Sequence, residues 1–146
     1  MRDHVRFQSG EFTPPDTERG QINTDRYGYL LATWLAARLK ERGFDVSSPT
    51  PEDWGWLLGI ANDGRTVIVG CGNVEGSSTE WLIWTQVDSP GVLSRFFKRG
   101  GPSPNALYGI VAAIHGALSA NGSVSDVEWF RVESRGQELD HAATPI

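Results

Sequence analysis

The sequence holds one cysteine, Cys71, in 146 residues. A lone cysteine excludes an internal disulfide and any zinc site built on several thiolates. Histidine is scarce as well: His4, His115 and His141 are scattered, two of them near the termini. Material for acid–base or metal chemistry is therefore thin, and no metal or cofactor is expected. Neither a GxGxxG stretch nor a GK[ST] phosphate loop occurs. Positive charge is also in short supply, since 13 Lys and Arg against 18 Asp and Glu leave a formal charge of −5. That excess repels nucleic acid and anionic membranes, so neither is expected as a partner. Long apolar runs are missing. No stretch approaches the length of a bilayer span, and MRDHVRFQSGEF lacks the apolar core of a signal peptide, which makes a cytoplasmic protein the expectation.

What remains is the composition of an ordinary globular chain, 39% hydrophobic and 21% charged. Its length suits one domain, which should bury roughly 70% of the surface the unfolded chain exposes. A short strand around Val5 and Phe7 is followed by a polar arm (9–22) carrying a Pro-Pro pair. NTDRYGYLLATWLAARLKERGF then reads as a helix. Asn23 or Thr24 is its cap, and Tyr27, Leu30, Leu31, Trp34, Leu35 and Leu39 form the apolar stripe. Gly43 suits a left-handed end, with Phe44 folding back.

From Trp54 the apolar period changes to two, which puts Trp54, Trp56, Leu58 and Ile60 on one face. Asp63-Gly64 is a hairpin signal, and centring the turn there pairs Ile60 with Val67, Leu58 with Val69 and Trp56 with Cys71, all on one face. A third strand, EWLIWTQVD, completes an antiparallel meander with apolar groups on both faces. Ser89-Pro90 starts a short helix and Ser103-Pro104 a longer one with the stripe Leu107, Ile110, Val111, Ile114 and Leu118. DVEWFRVE is a last strand, and 134–146 reads as a loose tail. The expected fold is one α+β domain over residues 1–146, an antiparallel β-meander of about four to five strands with three helices.

Three segments of this chain, the helix start in DRYGYLLATWLAARLKERGF, then PEDWGW, then GCGN, precede a tryptophan-bearing strand and LSRFFKR. In that order, from about Asn23 to Arg99, they resemble a group of small bacterial proteins that have no established activity. The resemblance implies a stand-alone bacterial domain and carries over no catalytic residue.

Each candidate site has a functional and a plain reading. Glu52 and Asp53 look like paired carboxylates, but neighbours at a strand start point to opposite faces, which favours a solvated turn. Trp56 continues an apolar face and reads as core, whereas Trp54, at the strand mouth, could wall a site with Asp53 as anchor and Asn73 across the hairpin. Gly55 facing Gly72 and Leu57 facing Gly70 leave the second hairpin face low, where a ligand or a helix could approach. Cys71 reads as an inert core thiol; His115 is the one available base for it. Arg95, Lys98 and Arg99 form a candidate anion corner or simply complement a helix end. Together these residues favour a non-catalytic protein-binding module, immunity- or inhibitor-like or self-associating as a homodimer. The alternative is a small-ligand protein or enzyme with a pocket near Trp54.

Overall fold

The computed structural model describes residues 1–14, 21–62, 64–88 and 104–146. Within them the chain forms eight strands and two helices in one small α+β domain. In order these are β1 (His4–Gln8), α1 (Tyr29–Glu41), β2 (Asp45–Val46), β3 (Thr50–Glu52), β4 (Gly55–Asn62), β5 (Arg65–Asn73), β6 (Glu80–Val87), α2 (Pro104–Ser119), β7 (Ser125–Val132) and β8 (Glu138–Ala142). All pair antiparallel in a single sheet ordered β2-β4-β5-β6-β1-β7-β8, and β3 also pairs with β4.

The strand count corrects the expected four to five. The helix expected from Ser89 lies outside the described residues. The extra strands are those that apolar alternation cannot announce. β2 and β3 have two and three residues and are split by Ser47-Ser48-Pro49, too short for a period to show. β8, in the stretch expected to be a loose tail, is polar and is held by charge. Arg2 pairs with Asp140 at 2.9 Å and Arg6 with Glu138 at 3.0 Å, while the Arg2 amide donates to the Pro145 carbonyl at 2.7 Å.

The meander has the register expected from its turn and apolar face: Ile60 opposite Val67, Leu58 opposite Val69, Trp56 opposite Cys71. Gly64 takes φ +72, a conformation that favours glycine. The row Trp56–Cys71–Ile83–Val5–Trp129 runs across five strands on the inner face, and every member is buried. Leu31, Leu35 and Leu39 of α1 and Ile110 and Ile114 of α2 join the same core. The arm contributes Phe12, buried between Phe7, Trp34 and Trp81.

Helix α1 ends as its sequence suggests. Gly43 has φ +90, its N–H reaches the Lys40 carbonyl, and the Phe44 N–H reaches that of Leu39, which closes a Schellman motif. Its start differs, for neither Asn23 nor Thr24 caps it and Gly28 holds the cap position without a side-chain bond. Leu30 is exposed, and Ala32 and Ala36 take its place on the buried face.

Arg6 sits on the outer face of central strand β1 between Glu128 at 2.8 Å and Glu138 at 3.0 Å, with Glu80 at 3.8 Å. The Arg6 hydrogen bond holds the Glu128 carboxyl below its ordinary range, and Glu138 above all raises the guanidinium. A depressed carboxylate stabilises the fold above its unfolded pKa, and that contribution is lost as pH falls through the folded value. Acidification should therefore loosen β7–β8 first. Protection of the β8 amides, taken relative to the intrinsic exchange rate at each pH, should fall from neutral pH into the acid range, and should fall less in Glu128→Gln. Equal pH slopes in both chains would show that this pair does not anchor the strand.

Candidate functional site

The EDWGW stretch is a turn and not one continuous strand. Glu52 pairs with Gly55, so Asp53 and Trp54 are the two residues that join β3 to β4. Alternation does not carry through a turn, and this changes the facing of Trp54. Trp56 points inward and packs its ring on Tyr29 at 4.8 Å, whereas the half-exposed Trp54 ring meets Trp84 on the outer face at 5.2 Å. The expectation that Trp54 and Trp56 share a face is thus corrected.

The three segments of the resemblance meet at one point. The Cys71 carbonyl lies between Gly28 and Gly55, such that a Cβ on either would stand 2.5 Å from its oxygen. A Cβ on Gly72 would stand 2.9 Å from the Trp54 carbonyl oxygen. Asn73 locks the junction. Its Oδ1 accepts from the Tyr27 N–H at 3.0 Å, and its Nδ2 donates to the carbonyls of Asp25 and Ser77 at 2.8 and 2.9 Å. Asn23 adds a bond from Nδ2 to the Asp53 carbonyl at 2.8 Å. The glycines in RYG, EDWGW and GCGN permit close backbone approach, and the asparagine satisfies the backbone groups that this approach leaves without partners.

The sequence-derived site residues are therefore not brought together. Asn73 is buried on the inner side, in register with Trp81 and Phe7, and its amide is fully engaged. Glu52 and Asp53 are exposed. The low glycine face is occupied: the Trp84 indole lies over Gly70, where a Cβ would come within 2.1 Å of the ring. Arg95, Lys98 and Arg99 fall outside the described residues. Among the described residues, open clefts lie elsewhere. One of about 500 Å³ lies along β7 and β8 beside Glu128 and His141, and one of about 450 Å³ lies between the helices, beside Arg38 and Asn121.

Cys71 is completely buried opposite Trp56, and burial pushes its thiol far above the ordinary cysteine range. A thiol held protonated is a poor nucleophile. His115 accepts a hydrogen bond at Nδ1 from the Trp129 indole at 3.2 Å. Native Cys71 should label with a thiol reagent orders of magnitude more slowly than in urea-unfolded chain; comparable rates would return it to the list of nucleophiles. No family model, curated protein or solved structure matches this chain.

The second apolar face expected of the meander forms the outer surface of the sheet. By register Leu57, Gly70, Trp84 and His4 form one outward row, with Gly72, Leu82 and Arg6 in the next. Trp54, Leu57, Ile68, Leu82 and Trp84 are all half-exposed there. Farther along, Phe130 is covered by His4, by the stacked ring of His141 and by the Arg6 guanidinium. The signal was present in EWLIWTQ, where both phases of the alternation are apolar.

Proposed function

We propose that this chain is a non-catalytic, cytoplasmic protein-binding module that uses the outer face of its sheet. The observation carrying the reading is the patch of Trp54, Leu57, Ile68, Leu82 and Trp84, half-exposed on the side away from α1 and α2. Contiguous apolar surface of this kind suits a protein interface better than a small-molecule site, which needs concavity and convergent polar groups. The pocket reading near Trp54 is weaker because Asn73, its polar partner, is committed to backbone groups on the inner side.

The sheet edges favour the face over edge-to-edge pairing. At one edge β2 and β3 are short, and Pro51 removes a donor; at the other, β8 carries Glu138, Asp140 and His141, with Asp140 at φ +60. Short strands, proline, charge and irregular backbone are devices that block strand addition. The lone cysteine suits a reducing compartment.

Wild-type and Leu82→Ser chains, immobilised in parallel and exposed to an extract of the source cells, test the reading. A protein retained by the first and released from the second is the expected result. A small molecule retained equally by both, with no such protein, would favour the pocket.

A further inference from the structure

The chemistry of the partner can be taken one step further, on the understanding that this step rests on the protein-binding reading. The outward row that contains Leu82 begins and ends in carboxylates. Glu52 faces Gly55 at one end, then come Gly72, Leu82 and Arg6, and Glu128 faces Arg6 at the other. Glu138 and Glu80 stand beside Arg6 as well, so one guanidinium is shared among three carboxylates, a formal excess of two negative charges, with the His141 ring against Glu128 and Glu138 at 3.2 and 3.9 Å. Asp53 is exposed next to Glu52. The apolar centre of Trp54, Leu57, Leu82 and Trp84 is thus framed by acid on two sides among the described residues, and Arg6, the cation beside Leu82, is already paired within the chain.

We infer that this face docks a partner segment that is apolar at its centre and flanked by lysine or arginine, rather than a second copy of the chain. A twofold-related copy would present the same acidic frame to itself, and like charges brought together at an interface rim oppose association. A cationic flank meets the frame with opposite charge. The indole platform adds to this preference, because a cation over a tryptophan ring is attracted to its face. Trp84 is well suited to that role, since it lies over Gly70 beside Trp54 and stays half-exposed.

The test uses two short probe peptides, one of alternating leucine and lysine and one of alternating leucine and glutamate. Each is titrated into the full chain by fluorescence anisotropy, with sedimentation velocity run alongside. The leucine–lysine peptide should bind, and Trp84→Ser, which changes no charge, should weaken it about tenfold or more. The triple variant Glu52→Gln, Glu128→Gln, Glu138→Gln should weaken it too and flatten its salt dependence. Leu82→Ser serves as a second probe of the centre should Trp84→Ser melt early.

Binding of the lysine peptide that ignores both centre variants would be attraction to charge alone and would overturn the proposal. Equal binding of the glutamate peptide, lost in the centre variants, would keep the docking face and discard the inferred partner charge. A dimer dissolved by Trp84→Ser would do the same in favour of a second copy. A monomer that binds neither peptide would remove the docking face altogether.

Discussion

Trp81→Ala is expected to lower the unfolding free energy by about 4–6 kcal/mol. Trp81 lies fully buried on β6, in register with Phe7 of β1 and Asn73 of β5. Its ring meets Phe12 edge-on at 6.1 Å, and Phe12 leans on Trp34 of α1. One side chain thus joins the sheet centre to the arm and the first helix. Truncating a buried tryptophan commonly costs about 3–5 kcal/mol. Here the indole N–H also donates to the Ser9 carbonyl at 2.9 Å, and Ser9 is buried, so the truncation leaves an acceptor without its donor at a further cost of about 1 kcal/mol. Against a total stability of about 5–15 kcal/mol, the variant should be at the edge of folding, with its melting temperature down by roughly 10–20 °C. Trp81→Phe, which keeps most of the ring and loses the hydrogen bond, should fall between it and the wild type. A Trp81→Ala chain that melts within a few degrees of wild type would show that the arm and helix do not depend on this contact.

The parts of the fold that were legible in the sequence are those fixed by neighbouring residues. The β4–β5 register follows from one turn signal and one apolar face, and both act over a few residues. The Schellman end of α1 follows from Gly43 and Phe44 in the same way. What the sequence hid was decided by partners distant along the chain. The Tyr27 N–H, which the sequence offers to a helix cap, is taken by Asn73, 46 residues away, and the helix begins later in consequence. β8 is a strand because Arg2 and Arg6, more than a hundred residues earlier, hold its carboxylates, and no periodicity records that. Trp54 departs from the face its alternation implies because a two-residue turn, Asp53-Trp54, precedes β4 and breaks the period. Asn73 suggests a binding group because it lies across the hairpin from Trp54 and Asp53; in the fold its amide instead ties the Tyr27, Asp25 and Ser77 backbone together.

That task defines the second large effect. Gly28→Ala and Gly55→Ala should each cost roughly 2–5 kcal/mol, although alanine is the smallest residue that can be added. Gly28 has φ +149 and Gly55 φ +158, and a Cβ on either meets the Cys71 carbonyl oxygen at 2.5 Å. The obstacle is backbone, so no side-chain rotation relieves it. The carbonyl belongs to a strand whose next residues are crowded too: Gly72 abuts the Trp54 carbonyl, and Asn73 is held by its three bonds. Moving the strand end to admit one methyl must disturb all of these. The shared obstacle makes a sharper claim possible. Because the Cys71 carbonyl lies between the two glycines, shifting it away from one alanine drives it toward the other, so the double variant should lose clearly more than the sum of the singles in urea melts. Strict additivity would mean that the two glycines fail independently and that no common junction exists. Trp54→Ala supplies the contrast: its ring lies outside the junction on the half-exposed face, and its removal should leave the melting temperature within a few degrees while weakening any partner held there. One five-residue stretch thus carries a glycine that the fold cannot replace beside a tryptophan that it can, and the two single substitutions separate the segment's structural role from the proposed binding role.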